Sequence, residues 1–358
     1  MFRNFNAHLY FKFNRTYVYL YRICTLCKCY RFCGDDPDSL FYDIKSGKTG
    51  MNLIICYTPL QVLIAERIID LYPNEKFYGV MLCSAKNAKF DYYGQRLAQK
   101  CDRFFKMDQH IDRFNLLKEI ISLRIKFAFK KFDKVFVASI NDIKIQFILS
   151  SIRFNTFYTF DDGTANIVNN SVYYIDEPKT LIRRMINILL CNQYSVAKLK
   201  SLSKKHYTIY ADFPNIISNT EYIALFPPTE SEVIEGEYIN ILLGQPVYVD
   251  NQKNIALAEQ VIKRFNIDYY LPHPREQYKL DKVEYIQTPL ILEDYLAQEV
   301  KRKKCRIYTY FSSAVLNIKD KSPNIDVVAL RINVENPDFI QVYRLFEQLG
   351  VNIIDIRE

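Results

Sequence analysis

Histidine is scarce in this sequence, occurring only at His8, His110, His206 and His273. His273 alone follows directly on a β-rich run, in Tyr270-Leu271-Pro272-His273-Pro274-Arg275. Prolines on either side hold the backbone extended and restrict where the imidazole points. A fixed imidazole can hydrogen-bond an anionic oxygen, and it can supply a proton when a nearby phosphate raises its pKa. The alternative is a rigid loop histidine with no chemical task.

Three further stretches carry candidate chemistry. Asp161-Asp162-Gly163-Thr164 ends another β-rich run; paired carboxylates there can bind sugar hydroxyls, hold a metal or act as a base, or they can simply close a turn. In Leu243-Gly244-Gln245-Pro246-Val247-Tyr248-Val249-Asp250, Asp250 is either a base or the cap of the helix that follows. In Tyr310-Phe311-Ser312-Ser313-Ala314 a strand gives way to a helix start, where hydroxyls and backbone N–H groups can receive phosphate.

The elements that must position these residues alternate from Met51 onward. Strands are expected at 52–57, 77–83, 134–138 and 156–160, with helices such as 60–71 between them. A second series of strands is expected at 238–243, 268–271, 284–287, 306–310, 326–330 and 352–356. Apolar periodic segments 255–265, 292–300 and 339–349 read as crossover helices. This is the pattern of an α/β protein with two Rossmann-like halves, each built on a parallel sheet. The division expected is a poorly patterned leader (1–50), a first domain (51–214), a Pro-containing linker (215–237) and a second domain (238–358). Ligands of such sheets sit beyond the carboxyl ends of the strands, where all four candidate stretches fall.

Composition narrows the function. Half of the 358 residues are hydrophobic, enough for two cores. No uncharged apolar run reaches about 18 residues and no signal-peptide layout is present, so a cytoplasmic protein is expected. Nine cysteines at irregular spacing do not describe a disulfide framework. Cys24, Cys27, Cys29 and Cys33 match no common zinc spacing. No G-x-G-x-x-G occurs, and no nucleic-acid motif accompanies the net charge of +8. Basic amphipathic stretches at 116–131 and 181–190 read either as ordinary packed helices or as faces for an anionic membrane.

The paired acids, His273-Pro274 and Ser312-Ser313 resemble, in order and rough spacing, three short motifs of bacterial sialyltransferases. Wider segments, among them Phe160-Asp161-Asp162-Gly163-Thr164, His206-Tyr207-Thr208-Ile209, Pro272-His273-Pro274-Arg275 and Ile291-Leu292-Glu293-Asp294-Tyr295, resemble the lipooligosaccharide sialyltransferases of glycosyltransferase family 52. The resemblance runs from about residue 52 to the C-terminus. It implies the two-domain GT-B architecture, with the parallel sheets facing a central cleft. The implied reaction transfers sialic acid from CMP-sialic acid to a galactose-terminated glycan with inversion; because CMP leaves as a monophosphate, with less charge to neutralise than a diphosphate, no metal or other cofactor is expected.

By that resemblance Asp250 is the base, with Asp162 as its substitute, and His273 serves the leaving CMP. Gly244, Gln245, Pro246, Pro272, Pro274, Arg275, Ser312, Ser313, Glu293 and Asp294 would contact the donor; Asp161, Gly163 and Thr164 would line the acceptor side. One departure stands out: the family places its aspartate directly after the strand-end proline, whereas here Val247 follows Pro246 and Asp250 is the nearest acid. A homodimer is also implied, and the basic amphipathic stretches allow contact with the inner-membrane surface. The rival expectations are a GT-B transferase with another nucleotide sugar, a polysialyltransferase, and a glycan-binding protein without turnover.

Overall fold

The computed structural model describes residues 50–358 apart from Ser84, 109–112, 169–170, 175–179, Asp212, 226–231, 274–275, 300–301, 335–336 and Glu358. The cysteine-rich leader and the pair Pro274 and Arg275 therefore lie outside the described residues.

The first domain is a seven-stranded, fully parallel sheet. Its strands are β1 (Met51–Cys56), β2 (Lys76–Cys83), β3 (Arg103–Asp108), β4 (Lys131–Val137), β5 (Arg153–Phe160), β6 (Ser203–Thr208) and β7 (Thr220–Tyr222), in the order 3-2-1-4-5-6-7. Helices cover both faces, so central strands such as β1 are buried almost throughout and are largely apolar, with Asn52 the polar exception in β1. The helices are α1 (Pro59–Asp70), α2 (Ala88–Lys100), α3 (Arg113–Phe127), α4 (Ile143–Leu149), α5 (Leu181–Leu189) and α6 (Val196–Leu202). Thr58 caps α1 by accepting from the Gln61 N–H, and Pro59 takes the first turn, where no backbone donor is missed.

The second domain repeats the plan with six parallel strands: β8 (Tyr238–Leu243), β9 (Tyr269–Leu271), β10 (Glu284–Tyr285), β11 (Lys304–Thr309), β12 (Ile325–Arg331) and β13 (Asn352–Asp355). Their order, 10-9-8-11-12-13, is the 3-2-1-4-5-6 winding counted within the domain. Helices α7 (Asn251–Phe265), α8 (Leu292–Glu299) and α9 (Pro337–Gln348) complete it, and a 3₁₀ turn (Ser313–Asn317) follows β11.

Every strand expected from the pattern is present, most with shifted ends, and β3, β6 and β7 are added to them. Charged residues interrupt the added strands: β3 reads Arg-Phe-Phe-Lys-Met-Asp and β6 opens Ser-Lys-Lys. The linker boundary needs correction. β7 lies inside 215–237 and pairs with β6, while Ile223 and Leu225 are buried in the first domain's core. The first domain therefore continues past residue 214.

The domains meet at the carboxyl ends of their strands. Tyr210, two residues past β6, donates to Asn317 Oδ1 of the 3₁₀ turn at 2.8 Å. From α2, Lys89 donates to the Leu290 carbonyl at 2.9 Å and Tyr93 to Asp294 at 2.5 Å, while Arg96 bridges Glu66 of α1 and Asp294 of α8.

Candidate functional site

In the second domain, three strand-end loops converge on Gly244 and Gln245. Gly244, buried just beyond β8, donates its N–H to the Leu271 carbonyl of β9 at 2.8 Å. A Cβ at this position would lie 2.5 Å from Glu276 Oε2 and 2.6 Å from Tyr270 Oη, so only glycine fits. Gln245 Oε1 accepts from Thr309 Oγ1 at 2.9 Å, from Tyr310 N at 3.0 Å and from Phe311 N at 3.1 Å. Adjacent residues thus fasten the His273 loop on one side and the serine loop on the other. His273 and Pro272 are half-buried at this edge, as are Ser312 and Ser313. Ser312 makes no side-chain cap bond, although it opens the 3₁₀ turn, which leaves its hydroxyl available to a ligand.

Asp250 caps α7, accepting from the Gln252 N–H at 2.8 Å, and its side chain is exposed with Pro246 and Val249 on the same loop. Both readings of this residue thus coexist: the carboxylate closes a helix and stays open to solvent.

In the first domain, Asp162 is the centre of a polar cluster drawn from three strand ends. Its Oδ1 accepts from Gln61 Nε2 at 2.5 Å; its Oδ2 accepts from Tyr173 Oη at 2.7 Å and Ser139 Oγ at 3.1 Å. Gln61 Oε1 in turn accepts from the Tyr57 N–H at 2.6 Å. Burial and the neighbouring carboxylates push the Tyr57 and Tyr173 hydroxyls well above their ordinary pKa, so both remain donors. A carboxylate offers about four lone-pair positions; three donors leave Asp162 room for one more. Gly163 turns the chain at φ +63°, in the left-handed region, and the Thr164 carbonyl anchors the following turn through Ile167 N and Val168 N.

Two expectations need correction, and two further residues carry structural bonds besides. Asp161 is fully buried and accepts from His206 Nε2, Thr208 Oγ1, Ile209 N and Asn215 Nδ2, so it staples β5 to β6 and presents no surface to a sugar. Glu293 is 3% exposed, with its carboxylate under Asn317 Nδ2 at 2.7 Å, closed off from direct nucleotide contact. Asp294 is held by Tyr93 and Arg96 and acts as a strut between domains. Gln245 uses its carbonyl to hold the serine loop.

Gln61, Ser139, Tyr173 and Glu276 escaped the sequence reading. Gln61 and Ser139 sit beside Asp162 only because parallel strands from distant parts of the chain end side by side, a proximity with no local sequence signature.

The two look-alike amphipathic stretches behave differently. Helix α3 buries Ile120, Leu123 and Phe127, and Lys126 and Lys130 lie over aromatic rings, so it is an ordinary packed helix. Helix α5 buries none of its residues, with Leu181 78% and Ile188 67% exposed.

The glycosyltransferase family 52 model matches residues 74–334. A Pasteurella multocida protein named CMP-N-acetylneuraminate:beta-galactoside alpha-2,3-sialyltransferase is 59% identical over 308 residues, covering 86% of this chain and all of the relative. An N-acetyllactosaminide alpha-2,3-sialyltransferase of Haemophilus influenzae is 39% identical over 85% of this chain and 99% of its own. Among solved structures, TcCGT1 in complex with UDP aligns with a TM-score of 0.47 at 8% identity, over 86% of this chain and 85% of that one. Two Rossmann-like domains meeting at their strand ends make the fold GT-B, and the chain belongs to glycosyltransferase family 52.

Proposed function

We propose that this chain transfers sialic acid from CMP-sialic acid to a terminal galactose, in α-2,3 linkage and with inversion, as part of lipooligosaccharide or a related surface glycan. The observation that carries the reading is the 59% identity spanning the whole of a relative bearing that name.

The reaction joins an acceptor oxygen to the anomeric carbon while the bond from that carbon to the CMP phosphate oxygen breaks, its electron pair leaving with CMP. A base must take the hydroxyl proton, and donors must meet the charge growing on phosphate. Asp250, solvent-open with one capping bond, takes the proton. Asp162, with a single lone-pair position remaining, holds the acceptor. His273 donates to the leaving phosphate, assisted by the Ser312 and Ser313 hydroxyls.

The same groups serve without a divalent ion. A monophosphate leaving group gathers less charge than a diphosphate. Incubation of purified protein with CMP-sialic acid and lactose in excess EDTA tests both points: sialyl-lactose is expected, and its absence with a functional donor would overturn them.

We also infer a homodimer that rests on the inner membrane. Leu181, Ile182, Met185, Ile188 and Leu189 form an exposed apolar face on α5, suited to a second copy. The exposed Arg184 beside them favours an anionic lipid surface as a further contact.

A further inference from the structure

His273 reaches its place by way of a residue that neither the motif nor the reaction calls for. The Glu276 N–H donates to the His273 carbonyl at 3.0 Å. In return the His273 N–H points back to Glu276 Oε2 at 3.4 Å. Both backbone polar groups of the histidine thus face one side chain and its own main chain. The carboxylate is itself located from below, since Tyr270 Oη of β9 donates to the same oxygen at 2.7 Å, and that oxygen lies where a Cβ on Gly244 would be.

This carboxylate is an expensive choice for a merely structural role. Its Oε1 is buried and has no hydrogen-bond partner among the described residues. Burial pushes the carboxyl above its ordinary pKa, against the opposing hydrogen bonds from Tyr270, the His273 N–H and Tyr278. A buried carboxylate that lacks a full set of partners destabilises a fold relative to an amide or apolar replacement. Such groups gather where chemistry needs them.

We propose that Glu276 is the positioning residue for His273, fixing the loop so that the imidazole meets the leaving phosphate. The proposal rests on the reading that His273 serves CMP. It also assigns Gly244 a role: the glycine is the floor on which the Glu276 carboxylate lies.

A double-mutant cycle in kcat tests it, with thermal melts confirming that each variant folds. His273→Ala is expected to lose about 100-fold or more, the lower end of what a general acid supplies. Glu276→Ala is expected to lose ~10-fold, because the acid is misplaced rather than absent. In the double variant the losses do not multiply: it matches His273→Ala, as for two residues acting through one group. Glu276→Gln, which keeps an oxygen facing Tyr270 and the His273 N–H, recovers most of the rate. Gly244→Ala, whose methyl displaces Oε2, repeats the Glu276→Ala result. Where Glu276→Ala does not fold, Glu276→Asp, which withdraws the carboxylate by one methylene, enters the same cycle.

Multiplying losses, or a full rate in Glu276→Ala, would overturn the proposal while leaving the role of His273 intact. A full rate in His273→Ala would instead remove the underlying reading, and this proposal with it.

Discussion

Asp161 Oδ1 accepts a hydrogen bond from His206 Nε2 at 2.8 Å, with both side chains fully buried, while the next residue, Asp162, is half-buried and turns its carboxylate to a different set of donors, Gln61, Ser139 and Tyr173. Successive side chains of an extended chain point to opposite sides. Two adjacent acids that look interchangeable therefore do different work.

This contrast predicts a clean separation by mutation. Asp161→Asn leaves at least one of the donors His206, Thr208, Ile209 and Asn215 short of an acceptor, and each buried donor so orphaned costs about 1–3 kcal/mol. Thermal or urea unfolding should register that loss. Asp162→Asn, at a half-buried side chain that meets three donors rather than four, should lose less stability than Asp161→Asn yet turn over poorly, and the reverse pattern would exchange their roles.

Steady-state kinetics divide the two halves of the reaction. Asp250→Asn and His273→Ala are each expected to lose about 10² or more in kcat, the lower end of acid–base catalysis. Only the histidine variant should also bind CMP more weakly, as read by product inhibition. Near-normal turnover in Asp250→Asn, with a collapsed Asp162→Asn, would transfer the base role to the first domain.

Glu293 makes a pH-dependent contribution whose sign can be worked out. Complete burial raises its carboxyl pKa above 4.5, against the Asn317 hydrogen bond, so the folded state holds the proton to higher pH than the unfolded chain does. Stability from this group is full below about pH 4.5, the ordinary carboxylate range, and declines as pH rises through the raised value. Glu293→Gln should flatten that decline in melting temperature. An unchanged slope would mean that the group ionises in the fold without penalty.

The exposed face of α5 gives a solution prediction. Leu181→Ser with Ile188→Ser removes two of its largest exposed apolar side chains. Sedimentation velocity should show a dimer for the parent chain and a monomer for the variant, with turnover on soluble acceptor retained. A parent chain that sediments as a monomer, and that pellets with anionic vesicles only when α5 is intact, would make lipid the partner of that face.

Placing two Rossmann-like domains and the edge that carries the chemistry needed no coordinates. The β8 residues Tyr-Ile-Asn-Ile-Leu-Leu and the capped, periodic α7 declare themselves, because strand and helix periods and end signals are properties of neighbouring residues. Strand ends then follow, and with them the loops of Asp162, Asp250, His273 and Ser312. What neighbours cannot encode is which side chain is left facing outward. Asp161 and Asp162 differ only in the side of the strand they take; Glu293 and Asp294 were drawn into the domain contact. Helices α3 and α5 carry similar patterns, yet one found a core and the other did not. Those outcomes depend on burial by parts of the chain tens to hundreds of residues away, and burial decides whether a polar group holds the fold together or meets a substrate.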